Sequence, residues 1–380
     1  MDNILSKRAQ GLQLSPLQLF FRKAKEMKEK GINIISLAVG ELNFPTPENI
    51  RQSGIKAIEA DQTRYTPAGG MTELRGKATE DFQKSGIPAS INNTIVSSGS
   101  QPLIAAAILA VTNPGDTLLV PSPYYPSYIA LAQLFDVETA LVDTRQDDFQ
   151  LKTDAIKKVL SDRAQVLVFN SPNNPTGAIW DPRELLELPA DICFIVDEAY
   201  QRVVYENQYV SVASLPELAD RAITIRSCSK SFNMSGWRVG YLTGPEAVVA
   251  KIEIILEAII VSASSISQAA AITAFANTEK INGNLAELQR RRDVLVRWLN
   301  KHSMVFPNPQ GAFYAFANLP ERMGLGSTAL AEMLLEKAGV VVTPGIAFGN
   351  DGYIRMSYAS VTFLEQLQEG LERIEKTLGL

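Results

Sequence analysis

Apolar and polar positions fall into two textures along the chain. Up to about residue 280, short apolar runs suited to buried strands alternate with longer helical stretches. That alternation predicts an α/β protein with a mostly parallel central sheet flanked by helices. The runs Thr94–Ser97, Thr117–Pro121, Val166–Asn170, Ile192–Val196 and Ala222–Ile225 read as strands. Pro102–Val111, Ser127–Leu134, Asp154–Leu160 and Arg183–Leu186 read as helices. Past residue 280 a charged helix, Leu285–Asn300, leads to two strand-like pieces, GAFYAF and GYIRMSYA, with a helix around Ala329–Ala338 between them. The pattern predicts a large α/β domain over residues 44–280 and a second, smaller α+β domain from 281–380, completed by 1–43.

One uncharged stretch, Ala258–Thr278, has the length of a membrane span. Ser262, Ser264, Ser265, Ser267, Gln268, Thr273 and Asn277 make it too polar to face lipid. It reads as a helix buried within the protein or between two subunits. The first residues, MDNILSKRAQGLQLSP, lack the apolar run of a signal peptide.

The unusual polar residues gather where strands end. SSGSQP follows the first strand, PSPYYPSY the second and NSPNNPTG the third; DEAY closes the fourth and RSCSKSFNMSGWRVG the fifth. In an open parallel sheet, ligands bind outside the carboxyl ends of the strands, so five such loops converge on one pocket. Gly99 permits a tight turn and Pro102 suits a first helical turn, leaving the Ser100 and Gln101 N–H groups free for an anion, or as a plain helix cap. Two prolines and a glycine around Asn174 fix a rigid loop. Asp197 leaves an apolar strand at the pocket edge, where a carboxylate needs a cation, hydrogen bonds or a capping role. Lys230, among Ser227, Ser229 and Ser231, is either a solvated loop lysine or a nucleophile in a cleft. Arg238 offers a fork for phosphate.

Composition narrows the chemistry. The 380 residues are 46% apolar and 20% charged, and 36 Lys+Arg against 41 Asp+Glu leave a net charge of −5. A mildly acidic chain without a basic stripe is a poor nucleic-acid binder. Two cysteines, Cys193 and Cys228, build no disulfide framework and suit a cytoplasmic, reducing setting. A single histidine, His302, excludes multi-histidine zinc sites and leaves only one possible relay histidine. Catalysis must fall to Lys, Tyr, Asp, Asn and Arg.

NPTG, DEAY, SKSFNMSGWRVG and YIRMSYA, in that order, resemble the class I/II aminotransferases of pyridoxal-phosphate fold type I. The likeness extends from SKRAQGL through LAVGELNFPTP and RYTPAGG to Arg355, essentially the whole chain. It implies an aminotransferase that uses pyridoxal 5'-phosphate, with amino acids and 2-oxo acids as substrates. By the same resemblance Lys230 carries the cofactor and shuttles the proton, and Asp197 pairs with the ring nitrogen. Asn174 and Tyr200 donate to the ring oxygen. Ser100, Gln101, Ser227 and Arg238 cup the phosphate, and Tyr125 stacks on the ring. Tyr65 reaches the phosphate of a partner subunit, which implies a homodimer with shared sites. Arg355 clamps the substrate α-carboxylate beside Gly40, with Asn174 also on the substrate.

The chain departs from many relatives at Leu42-Asn43, where Pro-Asp is common, at Ser100, where aspartate-using relatives often carry a lysine, and at Gln13, where some carry a basic residue. The departures point to neutral or aromatic donors over aspartate, with Arg64 or another arginine as the residue that would reverse this. A β-lyase on the same scaffold and a non-enzymic cofactor-binding regulator are the alternatives. Cys228 and Cys193 read as packing residues, Trp237 as structural and His302 as a surface residue. One of Phe313 and Tyr314 is expected to line the substrate site.

Overall fold

A computed structural model describes residues 4–11, 16–205, 209–276, 279–318 and 324–380. Along the chain the strands are β1 (Ile35–Ser36), β2 (Thr94–Ser97), β3 (Thr117–Ser122), β4 (Glu138–Asp143), β5 (Val166–Asn170), β6 (Cys193–Asp197), β7 (Ala222–Ser227), β8 (Gly240–Thr243), β9 (Tyr314–Asn318), β10 (Val340–Val341), β11 (Thr343–Pro344) and β12 (Tyr353–Ser357). Strands β2 to β8 form one seven-stranded sheet in the order β2-β8-β7-β6-β5-β3-β4. Only β8 runs against the others. The sheet is therefore mixed, and mostly parallel as the sequence predicts.

Central strands are apolar on both faces because both faces are covered. In β5, Leu167 and Phe169 enter one core while Val166 and Val168 enter the other. The first core is closed by helices that contribute Ile50, Leu74, Ala78, Phe82 and Ala270. The second is closed by Ser100–Val111, Ser127–Leu134 and Glu246–Ile260, through Leu103, Tyr128, Val249 and Ile252. Full burial of each such aliphatic side chain is worth about 1.5–3 kcal/mol.

A second sheet, β11-β12-β9, is antiparallel. It packs with the helices Glu279–Lys301 and Leu364–Leu378, whose Leu367, Leu371, Ile374 and Leu378 recur at helical spacing. Phe20, from the helix Pro16–Glu29, joins the same core. Strand β1 pairs in parallel with β10, tying the segment before the large sheet to the C-terminal region.

Several expectations change. The stretch Ala258–Thr278 is not one buried helix. Glu246–Ile260 ends at Val261, whose φ of +64° breaks the chain before Ser265–Ala276, and Ile259 and Val261 are exposed; residues 277 and 278 lie outside the described residues. Arg183–Leu186 is a 3-10 turn over Pro182–Leu185, started by the Asp181 carboxylate accepting from Arg183 N–H. Asp154–Leu160 shortens to Thr153–Lys157. His302 is not a surface side chain: its ring packs tilted on Trp298, centres 4.9 Å apart, and bonds Glu375 at 3.1 Å.

Candidate active site

The loops after β2, β3, β5, β6 and β7 meet at one cavity of about 390 Å³. It lies where the strand order reverses between β3 and β5, the expected place for a ligand in such a sheet. Gly40, Ser100, Gln101, Tyr125, Asn174, Asp197, Tyr200, Ser227, Lys230, Arg238 and Arg355 all line it. Tyr65 does not. It is 89% exposed, on a separate cleft with Thr63, Arg64 and the residues Ser262 to Ile266.

Asp197 ends β6 with its side chain toward the cavity, while Glu198 turns to the far side of the sheet. The Asp197 carboxylate accepts from Tyr128 O–H at 3.2 Å and from Ala199 N–H at 3.1 Å. Burial pushes its pKa up to about 6, against those two hydrogen bonds. Glu198 meets Arg226 at 2.9 Å, and Arg226 reaches Asp81 at 2.8 Å, so a buried ionic chain joins the ends of β6 and β7 to the helix Thr72–Gln83. Paired this way, charges tolerate burial that neither would alone.

Lys230 follows β7 in a single helical turn, Cys228–Ser231, capped by the Ser227 hydroxyl accepting from Ser229 N–H at 3.2 Å. Its Nζ donates to Gly40 O at 2.5 Å and lies 5.9 Å from the Phe313 ring centre. Burial lowers its pKa to about 8; Glu41 opposes the shift, and Arg238 and Arg355 add to it. An amine so placed loses its proton readily, as a nucleophile and proton carrier must.

Arg355, on β12, also lines the cavity. Its Nη1 donates to Asn174 Oδ1 at 2.8 Å, and Nη2 to Ala38 O at 2.5 Å and Thr343 Oγ1 at 3.2 Å. The guanidinium stacks over Tyr314 and Phe348, and its buried Nε has no partner. A guanidinium on a cavity wall offers a planar fork to a carboxylate. Asn174 also approaches Tyr200 O–H at 3.5 Å, and Tyr200 bonds Tyr314 through their hydroxyls at 3.0 Å.

At the third side, Gly99 has φ +90° and opens the helix Ser100–Val111, whose first N–H groups are free of intrahelical partners. A Cβ at Gly99 would come within 2.5 Å of Arg238 Nη2, and one at Gly240 within 2.6 Å of Ser100 N. Two glycines thus let a guanidinium and a helix N-terminus converge. Such a cradle is built for a doubly charged anion.

Sequence reasoning missed the role of Tyr128, the second residue of the helix Ser127–Leu134, and Glu41, whose carboxylate accepts from the Ser235 hydroxyl at the cavity. Of the pair Phe313 and Tyr314, Tyr314 lines the cavity. Trp237 is structural: its indole N–H donates to Thr46 Oγ1 at 3.1 Å. Cys228 is fully buried beside the site, its thiol pushed up by burial. Gln13 lies outside the described residues.

The model of the family Aminotransferase class I and II matches residues 32–374. This chain belongs to that family. It is 37% identical to an aspartate aminotransferase of Pinus pinaster, over all of this chain and 82% of that one. It is 35% identical to a "Probable aspartate/prephenate aminotransferase" of Aquifex aeolicus, over 98% of each. A solved Methanococcus jannaschii protein, described as similar in its active site to kynurenine aminotransferases, superposes with a TM-score of 0.91 at 30% identity, over 98% of this chain and all of that one.

The aminotransferase therefore uses pyridoxal phosphate. The residues present fit that group. The glycine-backed cradle at Arg238 and Ser100 suits its phosphate, and a buried carboxylate without a cationic partner at Asp197 suits a protonated ring nitrogen. Lys230, with its lowered pKa, and Arg355 line the same cavity. Among the described residues no helix is long and apolar enough to cross a membrane, and no cluster of His, Cys, Asp and Glu could hold a metal ion.

Proposed function

We propose that this aminotransferase moves the amino group of a neutral or aromatic α-amino acid to a 2-oxo acid by a ping-pong cycle, with aspartate a poorer donor. The carrying observation is the charge inventory of the cavity. Among the described lining residues the cations are Lys230, Arg238 and Arg355, and each has a task. Arg238, with Ser100, Gln101 and Ser227, holds the cofactor phosphate. Arg355, with Asn174 and the backbone near Gly40, holds the substrate α-carboxylate. Lys230 carries the cofactor and moves the proton. No lining cation is left for a second carboxylate, whose desolvation is costly unless one meets it. Phe21, Tyr125 and Tyr314 offer apolar surface instead.

When bound, pyridoxal phosphate supplies the electron sink for the carbon that loses its proton. Asp197, held by Tyr128 and Ala199, keeps the ring nitrogen protonated. Tyr200 and Asn174 would donate to the cofactor's ring oxygen, and Tyr125 would lie against the ring. Lys230 Nζ would take the proton that the substrate α-carbon loses and hold it for return. Borohydride reduction of the holoenzyme and peptide mapping tests this set: the pyridoxyl label belongs on Lys230, and label on another lysine overturns it.

The proposal includes a homodimer in which Tyr65 enters the neighbour's site. Its side chain is almost fully exposed, and the elements leading into its cleft expose Ile55, Ile58, Ile254, Ile259 and Val261. The same arm raises a second reading. Arg64, exposed beside Tyr65, would travel into the partner's cavity and could meet an acidic side chain there. The names of the pine and Aquifex relatives favour that reading, and the Methanococcus likeness the first. A panel of donors separates them: kcat/KM for aspartate above that for phenylalanine, tyrosine and alanine overturns the neutral-donor reading. The division into domains at 44–280 and 1–43 with 281–380 is proposed on the separate sheets and cores, and a cytoplasmic setting on two free cysteines.

A further inference from the structure

Gln268 stands in the first turn of the helix Ser265–Ala276 and is fully buried. Its side-chain oxygen accepts from Met71 N–H at 2.7 Å. Its side-chain nitrogen donates to Thr66 Oγ1 at 2.8 Å and to Ala263 O at 2.9 Å. One amide thus ties both ends of the 66–71 loop to the turn that follows Val261. Among neutral side chains only the amides of Gln and Asn pair an acceptor with an NH2 that donates twice, and Gln has the longer reach. A second tie, Ser265 O–H to Gln62 O at 2.7 Å, holds the near side of the arm. The fit is close: a Cβ at Gly70, where φ is +94°, would stand 2.7 Å from Val96 Cβ and 3.2 Å from the Gln268 oxygen.

What these bonds position is not this chain's own cavity. Gln268, Thr66, Met71 and Ala263 are absent from its lining, whereas Thr63, Arg64, Tyr65 and the residues Ser262 to Ile266 form the separate exposed cleft. We propose that Gln268 is a positioning residue acting in trans. It locks the Tyr65 arm and the 262–266 turn into one rigid surface that completes the phosphate end of the partner subunit's site. The inference rests on the shared-site dimer proposed above. Without the amide, Thr66 and Met71 would lose buried partners and the arm would sample other conformations, so the partner's site would lose a preorganised contact.

Hybrid dimers test it. The Gln268→Leu homodimer should lose pyridoxal phosphate on dialysis at least tenfold faster than the parent, read by absorbance, with a matching loss of activity. Wild-type retention overturns the proposal. Mixing Gln268→Leu chains with Lys230→Ala chains gives hybrids in which the intact Lys230 faces an arm with an intact Gln268. That site should recover cofactor retention and about half of the wild-type dimer's activity. If it stays impaired, Gln268 acts within its own chain and the proposal falls. A parallel mixture of Tyr65→Phe with Lys230→Ala isolates the dimer reading: no recovery there, with subunit exchange proven, overturns the shared site itself. Should Gln268→Leu fail to fold, Thr66→Val, which removes only the hydroxyl that Gln268 holds, goes through the same hybrids with the same two outcomes.

Discussion

Tyr128 donates its hydroxyl to Asp197 Oδ2 across 3.2 Å, and both side chains are buried. The tyrosine leaves the second core face through a helix that the apolar pattern predicts, yet its one polar atom ends on the carboxylate assigned to the cofactor ring. The contact favours the ionised form of Asp197 while burial opposes it. The proton affinity of the site thus depends on a residue that touches neither the substrate nor the lysine.

Tyr128→Phe should therefore act through Asp197. Hydrogen bonds to charged groups are worth about 1.5–3 kcal/mol, so the carboxylate should become a weaker partner for a protonated ring nitrogen. We expect kcat to fall roughly tenfold or more with cofactor retention little changed, and the pH profile of kcat to shift. Unchanged kcat and an unchanged profile would show that the bond has no part in tuning the site.

The raised pKa of Asp197 also predicts how the cofactor-free protein responds to pH. Its folded value of about 6 lies above the ordinary 3.8, so between those limits the folded state binds more protons than the unfolded one. Stability is at its best below pH 4 for this group and is lost as pH rises through 6. The shift corresponds to about 3 kcal/mol. In cofactor-free protein, Asp197→Asn should be more stable than the parent at pH 7 and gain nothing at pH 4, measured by denaturant unfolding. The same substitution should abolish most turnover. Equal stability of parent and variant at both pH values would contradict the burial argument.

Much of this was legible in the sequence, and the exceptions have physical reasons. β5 and its neighbours announce themselves because buried parallel strands are apolar on both faces. β4, Glu138–Asp143, was silent because it is an edge strand with only Val142 fully buried. β8 was missed because Gly240–Thr243 directly follows a long polar loop, and nothing in four residues marks its reversed direction. The site residues were readable where a strand end changes abruptly from apolar to polar, as at Asp197. Tyr128 and Gln268 gave no such contrast. Each lies in the first turn of a helix beside a serine, and its role comes from partners distant in sequence.

Gly99→Ala should strike the cofactor and spare the sheet. The substitution is strained at φ +90° and places a methyl group 2.5 Å from Arg238 Nη2, so the guanidinium must leave the phosphate position. The expected outcome is at least a tenfold weaker affinity for pyridoxal phosphate, by titration of the cofactor-free protein, with near-native far-UV circular dichroism. Full retention of affinity would remove Arg238 from the phosphate assignment.

Arg355 provides the sharpest separation between holding a substrate and choosing one. Its guanidinium is fixed by Asn174, Ala38 and Thr343, packs on Tyr314 and Phe348, and lines the cavity. Every α-amino acid brings the same α-carboxylate to that guanidinium. Truncating one member of a buried charged pair costs about 2–5 kcal/mol, so Arg355→Ala should lower kcat/KM by roughly thirty-fold to several thousand-fold. The loss should be nearly the same for alanine, phenylalanine, tyrosine and aspartate, because none of their side chains is read there. Arg355→Lys should recover only part of it. A lysine keeps the charge but lacks the planar fork, and its shorter reach to Asn174 and Ala38 leaves those acceptors unpaired. A loss confined to one donor would place Arg355 in the side-chain pocket and move the α-carboxylate elsewhere.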